Sequence, residues 1–552
     1  MVRTVKAVQL DTRSIQKYIF SSNKLKTNVG ASYLVSKIYD EMENILIAAC
    51  EDKGLKMPKE NWRDYDDIKM EQDESIQCEI AYVGGGNMII LFDEKTDEEF
   101  CRSLIGEWTR KLLSFTPGLS TGCAVGELVL GDAKQFEESS KKMYQQLKQN
   151  QNSIFPNVDL PYTGLTVECK LSGKTATTFA SVSIGEKEDY HYVADSELAK
   201  INAAKDANRE MKDRIKSGFA LDNSPWNFTD EIEKLGQKTG DEYIAVIHID
   251  GNDMGVRFSG CKTLGERKRL SKEVAEYTGH TFIKLVESIV DEYSHYFDSK
   301  FVEGGMLELK NVQESILPIR PVIIGGDDIT FVCPAKCGLI YAKRFIEHLQ
   351  KIKLGDDFFH SCAGIAIVPT KYPFFRAYEL AEELCGAAKK QARALKGKTS
   401  NAPGSSWLDF AIIHGEQSSD LERIRKEEYM GVQGSMHYGP YAVGESNEYR
   451  EKIAAQSVDK LIKGSLVLKK LPKNKVKEMR NVIAKDSGEI HLFMEQLRYN
   501  NETELLNIDE TMDRFKKELW AKKESGSDEK VTPYLDMIEM MDFVYDEKGG
   551  KQ

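Results

Sequence analysis

Residues 320–334, RPVIIGGDDITFVCP, set two glycines and two aspartates between two apolar runs. Val322, Ile323 and Ile324 lead in, and Ile329, Phe331 and Val332 follow. This predicts a hairpin of two buried strands with Gly325, Gly326, Asp327 and Asp328 at its tip. Glycines there let a ligand approach the backbone, and adjacent carboxylates at a strand end suit Mg²⁺. An Asp-Gly turn alone accounts for such a tetrapeptide, so its meaning depends on what converges with it. IDGNDMGVRFSG supplies the partner: Asp250 ends an apolar strand, followed by Gly251, Asn252, Asp253, Met254 and Gly255. With that strand beside the hairpin, Asp250, Asp327 and Asp328 meet although 77 residues separate the first two. Three carboxylates at one point repel unless a cation is bound, and hard oxygen ligands select Mg²⁺ or Mn²⁺. The expected metal ligands are Asp250, Gly251, Asp253, Asp327 and Asp328, with Asp250, Asp327 and Asp328 as the catalytic set.

Two such ions activate a ribose 3′-hydroxyl and stabilise the α-phosphate and leaving pyrophosphate of an in-line displacement. A triphosphate also needs N–H donors and positive charge. The expected nucleotide-binding positions are Gly251, Asn252, Met254, Gly255, Gly325, Gly326 and the lysine pair Lys389 and Lys390 in GAAKKQAR. Two phosphate-loop lookalikes fall away. ARALKGKT at 392–399 follows a helix where a strand is required, and SGKT at 172–175 has Glu168 at the first glycine position.

The positioning elements occur twice. Residues 1–150 read strand VKAVQLD, a helix ending near Cys50, hairpin IQCEIAYVGGGNMIILF, a helix with Phe100, Leu104, Trp108 and Leu112 on one stripe, and strand LSTGCAVGELVL. This is the βαββαβ, ferredoxin-like order. Residues 237–415 repeat it around EYIAVIHID, the GGDD hairpin and FHSCAGIAIVP. Asp11 lies 112 residues before Cys123, as Asp250 does before Cys362, which predicts an internal duplication. Where the second copy has IIGGDDITF the first has YVGGGNMII, so the charges are confined to the second. Residues 151–236 form a linker domain, and polar, helix-like residues 416–552 a C-terminal helical domain. The fold class expected is α+β with two palm domains.

A chain of 552 residues with 41% hydrophobic and 30% charged residues is globular and multi-domain. A net charge of −12 argues against a protein that coats nucleic acid. Ten scattered cysteines suit reduced core thiols in a cytoplasmic protein, and the lone Cys333–Cys337 pair is weak grounds for zinc. No membrane span and no signal peptide are expected. The basic run LKKLPKNKVKEMR at 468–480 reads as a solvated helix face.

In combination these residues resemble the large polymerase-like subunit of type III CRISPR effector complexes, which makes cyclic oligoadenylate from ATP. Gly325–Asp328 and Asp250 match that family's catalytic palm, Gly84–Asn87 and Ile15–Phe20 its first palm, YVADSELAKINAAKDA its post-zinc helix, and Ala388–Lys390 a segment used near the triphosphates. The resemblance implies ATP as substrate, Mg²⁺ or Mn²⁺ as cofactor, effector subunits and guide or target RNA as partners, and pairing of the two palms, the first supplying a second nucleotide site. Of the family's four zinc-ribbon cysteines only Cys169 is kept, with Ser172 where a second would stand, so zinc is not expected. No His-Asp dipeptide occurs among nine histidines, so DNA cleavage is not expected. The motif is DGND rather than DGDN, leaving Asn252 and Asp253 open as second ligand. The leading expectation is a nucleotidyltransferase making cyclic oligoadenylate or a related cyclic nucleotide. The alternatives are a catalytically silent scaffold subunit and a GGDEF-type cyclic dinucleotide synthase using GTP.

Overall fold

The computed structural model describes residues 2–153, 163–184, 187–218, 227–235, 242–297, 316–396, 404–415, 420–444, 454–500, 502, 508, 510–516, 518–522 and 529–546. It is a mixed α+β protein that packs as two compact units. One comprises residues 1–222, 253–279 and 322–327, the other 223–252, 280–321 and 328–552.

The first unit is built on β1 (Arg3–Arg13), α1 (Leu25–Lys53), β2 (Cys78–Gly84), β3 (Asn87–Asp93), α2 (Glu98–Phe115), β4 (Ser120–Leu130) and α3 (Ala133–Ser153). The four strands form a sheet in the order β2-β3-β1-β4, with β1 antiparallel to both neighbours. One face buries Val8, Leu10, Ile90 and Phe92 against Ile38, Met42, Leu104 and Trp108 of the helices. The other buries Val5, Ala7, Ile89 and Leu91 with Phe136 and Leu264. This alternation is the period of two that the apolar pattern predicted. The expected stripe on α2 is seen at Leu104, Trp108 and Leu112, with Cys101 as its first fully buried member. Of the linker, a hairpin of β5 (Thr178–Ile184) and β6 (Lys187–Val193) and helix α4 (Asp195–Gly218) are described. Cys169 packs there among Val182, Val193 and Ile201. The turn expected at 155–164 lies almost wholly outside the described residues.

The second sheet centres on β7 (Tyr243–Gly251). In chain order there follow α5 (Met254–Gly260), α6 (Leu264–Phe297), β8 (Arg320–Gly325), β9 (Asp328–Pro334), α7 (Ala335–Leu349), β10 (Ser361–Pro369), α8 (Phe374–Lys396), β11 (Ser406–Ile412) and β12 (Tyr441–Val443). The sheet order is β12-β11-β10-β7-β9-β8. Its last four members, β10-β7-β9-β8, repeat the order of the first sheet. Strand β7 is buried on both faces from Ile244 to Ile249. Among the described residues no helix is long and apolar enough to cross a membrane. The ten cysteines are free thiols, eight of them buried.

Two expectations need correction. The second sheet does not stop at the six-element plan: SWLDFAI forms β11, parallel to β10, a run buried on both faces that gives no alternation to read. Nor is the region after 416 purely helical. Tyr441–Val443 pairs antiparallel with β11 and thereby joins the sheet, a three-residue strand too short to show a period. The remainder holds α9 (Leu421–Glu428), α10 (Val458–Leu468), α11 (Lys473–Ile483), α12 (Ser487–Tyr499) and α13 (Tyr534–Met540). The segments GKTSNAPGSS (397–406) and GEQSSD (415–420), which composition marks as loops, lie mostly outside the described residues, as does the tail from 547.

A buried ionic network ties these helices to β11. His437 sits between Asp536, 2.9 Å from Nδ1, and Asp409, 2.9 Å from Nε2. Arg425 reaches Asp409 at 3.0 Å, and the Tyr441 hydroxyl donates to Asp536 at 2.5 Å. Beside it the Tyr429 hydroxyl donates to Glu539. Burial and Arg425 work against a charged His437, but Asp536 and Asp409 outweigh them and raise its pKa. Burial, reinforced by Asp536, raises the Glu539 carboxyl from 4.5 to about 7.

Both groups bind their protons more tightly folded than unfolded. Their stabilisation is therefore complete below the unfolded pKa and is lost as pH rises through the folded one. For Glu539 the rise corresponds to ~3 kcal/mol. The thermal midpoint is expected to fall between about pH 5 and about pH 8, and Glu539→Gln to flatten that fall. An unchanged slope in the variant would show that Glu539 does not carry the dependence.

Candidate active site

The register of β7 and β9 places Asp250 directly opposite Asp328, next to the apolar pair Ile249 and Ile329. On the other flank Asp250 faces Cys362 of β10. Like charges directly opposed across an antiparallel ladder repel, so this arrangement requires a counter-charge.

Lys389 of α8 supplies it. Its Nζ lies 2.5 Å from Asp250 Oδ2 and donates to the Gly251 carbonyl at 3.1 Å. Burial alone would lower the Lys389 pKa, but Asp250 outweighs it and holds the ammonium charged. The reach depends on how closely α8 lies on β10. A Cβ at Gly364 would stand 1.9 Å from the Ala381 carbonyl oxygen and 2.5 Å from Cys385 N, so only glycine lets the helix sit this low. Cys385 follows at that contact and Lys389 one helical turn later.

Asp328 is gripped from within the sheet. His248 Nδ1 lies 3.3 Å from Asp328 Oδ1 and 3.3 Å from Thr330 Oγ1. The His248 ring is 3% exposed and packs edge-on against Tyr378 at 5.5 Å between centroids. Burial opposes its protonation, but Asp328 foremost, then Asp250 and Glu382, raise its pKa. Burial likewise raises the Glu382 carboxyl, with Asp328 adding to it. Asp328 Oδ1 is itself buried without a conventional hydrogen-bond donor.

The other expected residues divide. Asn252 turns away: its N–H donates to the His360 carbonyl at 2.9 Å and its Nδ2 to the Ser405 carbonyl at 3.0 Å, tying the end of β7 to the start of β11. Asp253 adopts a left-handed φ of 59° before α5, a conformation aspartate tolerates. Met254 is buried, while a Cβ on Gly255 or Gly325 would meet nothing within 4 Å. Gly326 has φ +61°, and with the half-buried Asp327 it forms the hairpin turn. Lys390 is exposed, as a neighbour of Lys389 on a helix must be.

Among the described residues no three His, Cys, Asp or Glu side chains are gathered as metal ligands. What the fold brings together is the pair Asp250 and Asp328. Their chemistry fits a divalent cation: two opposed carboxylates, with an ammonium paired to Asp250 that a cation can displace. Three contributors went unforeseen: His248, Tyr378 and Gly364. The signal for His248 was a lone imidazole inside the apolar run IAVIHID.

Residues 243–398 match the family model described as Cas10/Cmr2, second palm domain. No curated protein matches the chain. Among solved structures, the Csm1–Csm4 cassette in complex with cA4 aligns with 98% of this chain and 70% of its own at 14% identity and a TM-score of 0.51. Csm1 of T. onnurineus aligns over the same shares at 14% identity and TM-score 0.48. The cassette with AMPPNP is covered to 62% of its length, with 84% of this chain, 14% identity and TM-score 0.44. The chain thus spans 62% to 70% of these three solved chains. The likeness to the cA4 cassette is one of fold. The family match bears out the resemblance to the type III CRISPR large subunit over the second palm.

Packing at the site makes a stability prediction. Gly364→Val drives a side chain into the α8 backbone and is expected to cost about 3 kcal/mol or more. Gly325→Ala, with open space around the new methyl, is expected to cost under about 1 kcal/mol. Urea denaturation of both variants checks this, and equal costs would show that α8 does not rest on Gly364.

Proposed function

We propose that the chain is a metal-dependent nucleotidyltransferase that joins ATP 3′ to 5′ into cyclic oligoadenylate or a related cyclic nucleotide. It would act in the cytoplasm as a subunit of a type III CRISPR-like effector, with effector subunits and guide or target RNA as partners. The observation that carries this reading is Asp250 opposite Asp328 with Lys389 paired to Asp250. Support also comes from the Cas10/Cmr2 match over this palm and from the like-folded cassette solved with cA4.

Asp250 and Asp328 would hold Mg²⁺ or Mn²⁺, with Asp327, Asp253 and Gly251 adjoining. A bound divalent cation supplies an acidified 3′-hydroxyl and charge neutralisation at the α-phosphate. Lys389, released from Asp250 as nucleotide enters, transfers its charge to the triphosphate. Gly251, Gly255, Gly325 and Gly326 leave the backbone open to the nucleotide, while Asn252 and Met254 hold the turn. In the reaction the ribose 3′-hydroxyl gives up its proton to solvent water as its oxygen forms a bond to the α-phosphorus, the bond from that phosphorus to the bridging oxygen breaks, and pyrophosphate departs with the electron pair.

The palms are further proposed to be copies, with domains near 1–150, 151–236, 237–415 and 416–552. Asp11 faces Asn87 as Asp250 faces Asp328, and Lys148 stands 3.8 Å from Asp11 as Lys389 stands by Asp250. In the first sheet Asp11 faces Gly122, so the counterpart of Cys362 is Gly122 rather than Cys123. The first copy keeps the lysine and one aspartate and lacks the second carboxylate, which assigns the chemistry to the second.

Purified protein with labelled ATP or GTP and Mn²⁺ is expected to convert ATP preferentially. Asp328→Asn, alone or with Asp327→Asn, should reduce product by ~10³-fold or more with the fold retained. Undiminished product would sink the proposal. Preferential use of GTP would favour a GGDEF-type synthase, and no product with either nucleotide a scaffold.

A further inference from the structure

We infer that His248 is a positioning residue for the cation site, acting through Asp328 by its Nδ1–H donor; this rests on the reading above that Asp250 and Asp328 hold a divalent cation. The two sit on neighbouring strands. His248 is opposite Thr330, two residues from Asp328, and Asp250 is two residues from His248, so all three side chains lie on one face of the ladder. Nδ1 is 3.3 Å from Asp328 Oδ1 and equally far from Thr330 Oγ1. The ring has little freedom to leave, being 3% exposed and held edge-on by Tyr378.

The geometry separates the two oxygens of Asp328. Oδ1 is buried and has His248 as its polar neighbour. With Oδ1 held inward, Oδ2 is the oxygen left for a ligand, across the ladder from Asp250. Carboxylates that ligate metals are themselves hydrogen-bonded, and losing such a partner typically costs 10–100-fold in metal affinity. A buried imidazole in an apolar strand would otherwise be a liability, and here its Nδ1 lies 3.3 Å from a proposed ligand and 3.3 Å from Thr330 Oγ1.

Three substitutions separate the donor from the packing. His248→Phe keeps a ring against Tyr378 and removes the donor. His248→Asn loses the ring but keeps an N–H donor at the Nδ1 position. His248→Gln moves the donor a bond further and serves as a second displaced variant should the Phe protein fail to fold. Mn²⁺ affinity of the full chain without nucleotide is read by the electron paramagnetic resonance of free Mn²⁺, alongside thermal unfolding. His248→Phe and His248→Gln are expected to weaken Mn²⁺ binding about tenfold or more. His248→Asn is expected to stay within about threefold of wild type, although it unfolds at lower temperature. Wild-type affinity in the Phe variant, or equal weakening in Phe and Asn, would overturn the role of the donor. Failure of the wild-type protein to bind Mn²⁺ would overturn the cation site itself.

Discussion

Two carboxylates that an antiparallel ladder sets directly opposite each other cannot both stay charged without a cation between or beside them. That constraint, imposed by the β7–β9 register on Asp250 and Asp328, organises the second sheet's upper edge. Lys389 meets it from α8, and His248 meets it from inside the sheet. Lys389 arrives only because Gly364 lets α8 rest against β10. The electrostatics of the pair are thus coupled to the packing of one helix on one strand. The ammonium offsets the charge of Asp250, and in the proposed function a cation with a triphosphate would take over that role.

The first sheet shows what happens when the constraint is relaxed. It has the same strand order and the same opposed positions, but Asn87 faces Asp11, so only one charge is present. Lys148 sits at 3.8 Å, and Gln151 donates to Asp11. A single aspartate with amide and ammonium neighbours needs no metal. The contrast between the sheets therefore rests on one side-chain position, Asp328 against Asn87.

Much of this was legible before any coordinates. Alternating apolar runs bounded by glycines located the strands, because one-sided or two-sided burial leaves that pattern in the residues. Strand ends led to the expectation that Asp250 and Asp328 meet, and the register sets them opposite each other; Lys389 was expected at a triphosphate, and it stands on Asp250. Other features leave no periodic trace. Strand β11 is buried on both faces, and β12 is three residues long, so neither alternates. Asn252 reads as a ligand by spacing, yet its amide is used to fasten the loop to Ser405. The lysine pair reads as two equal cations, yet the helical step of about 100° sends Lys390 to solvent. His437 with Asp409 and Asp536 joins residues 127 positions apart at its extremes, a pairing that only the tertiary fold creates.

The central claim is that Asp250 and Asp328 form a cation site that Lys389 guards when no nucleotide is bound. Anomalous diffraction from crystals grown with Mn²⁺ and a non-hydrolysable ATP analogue tests it most directly. The account predicts an anomalous peak about 2.0–2.4 Å from a carboxylate oxygen of each aspartate, with Lys389 Nζ moved from Asp250 to the phosphates. An analogue bound with no peak between the two carboxylates, and Lys389 still on Asp250, would contradict it.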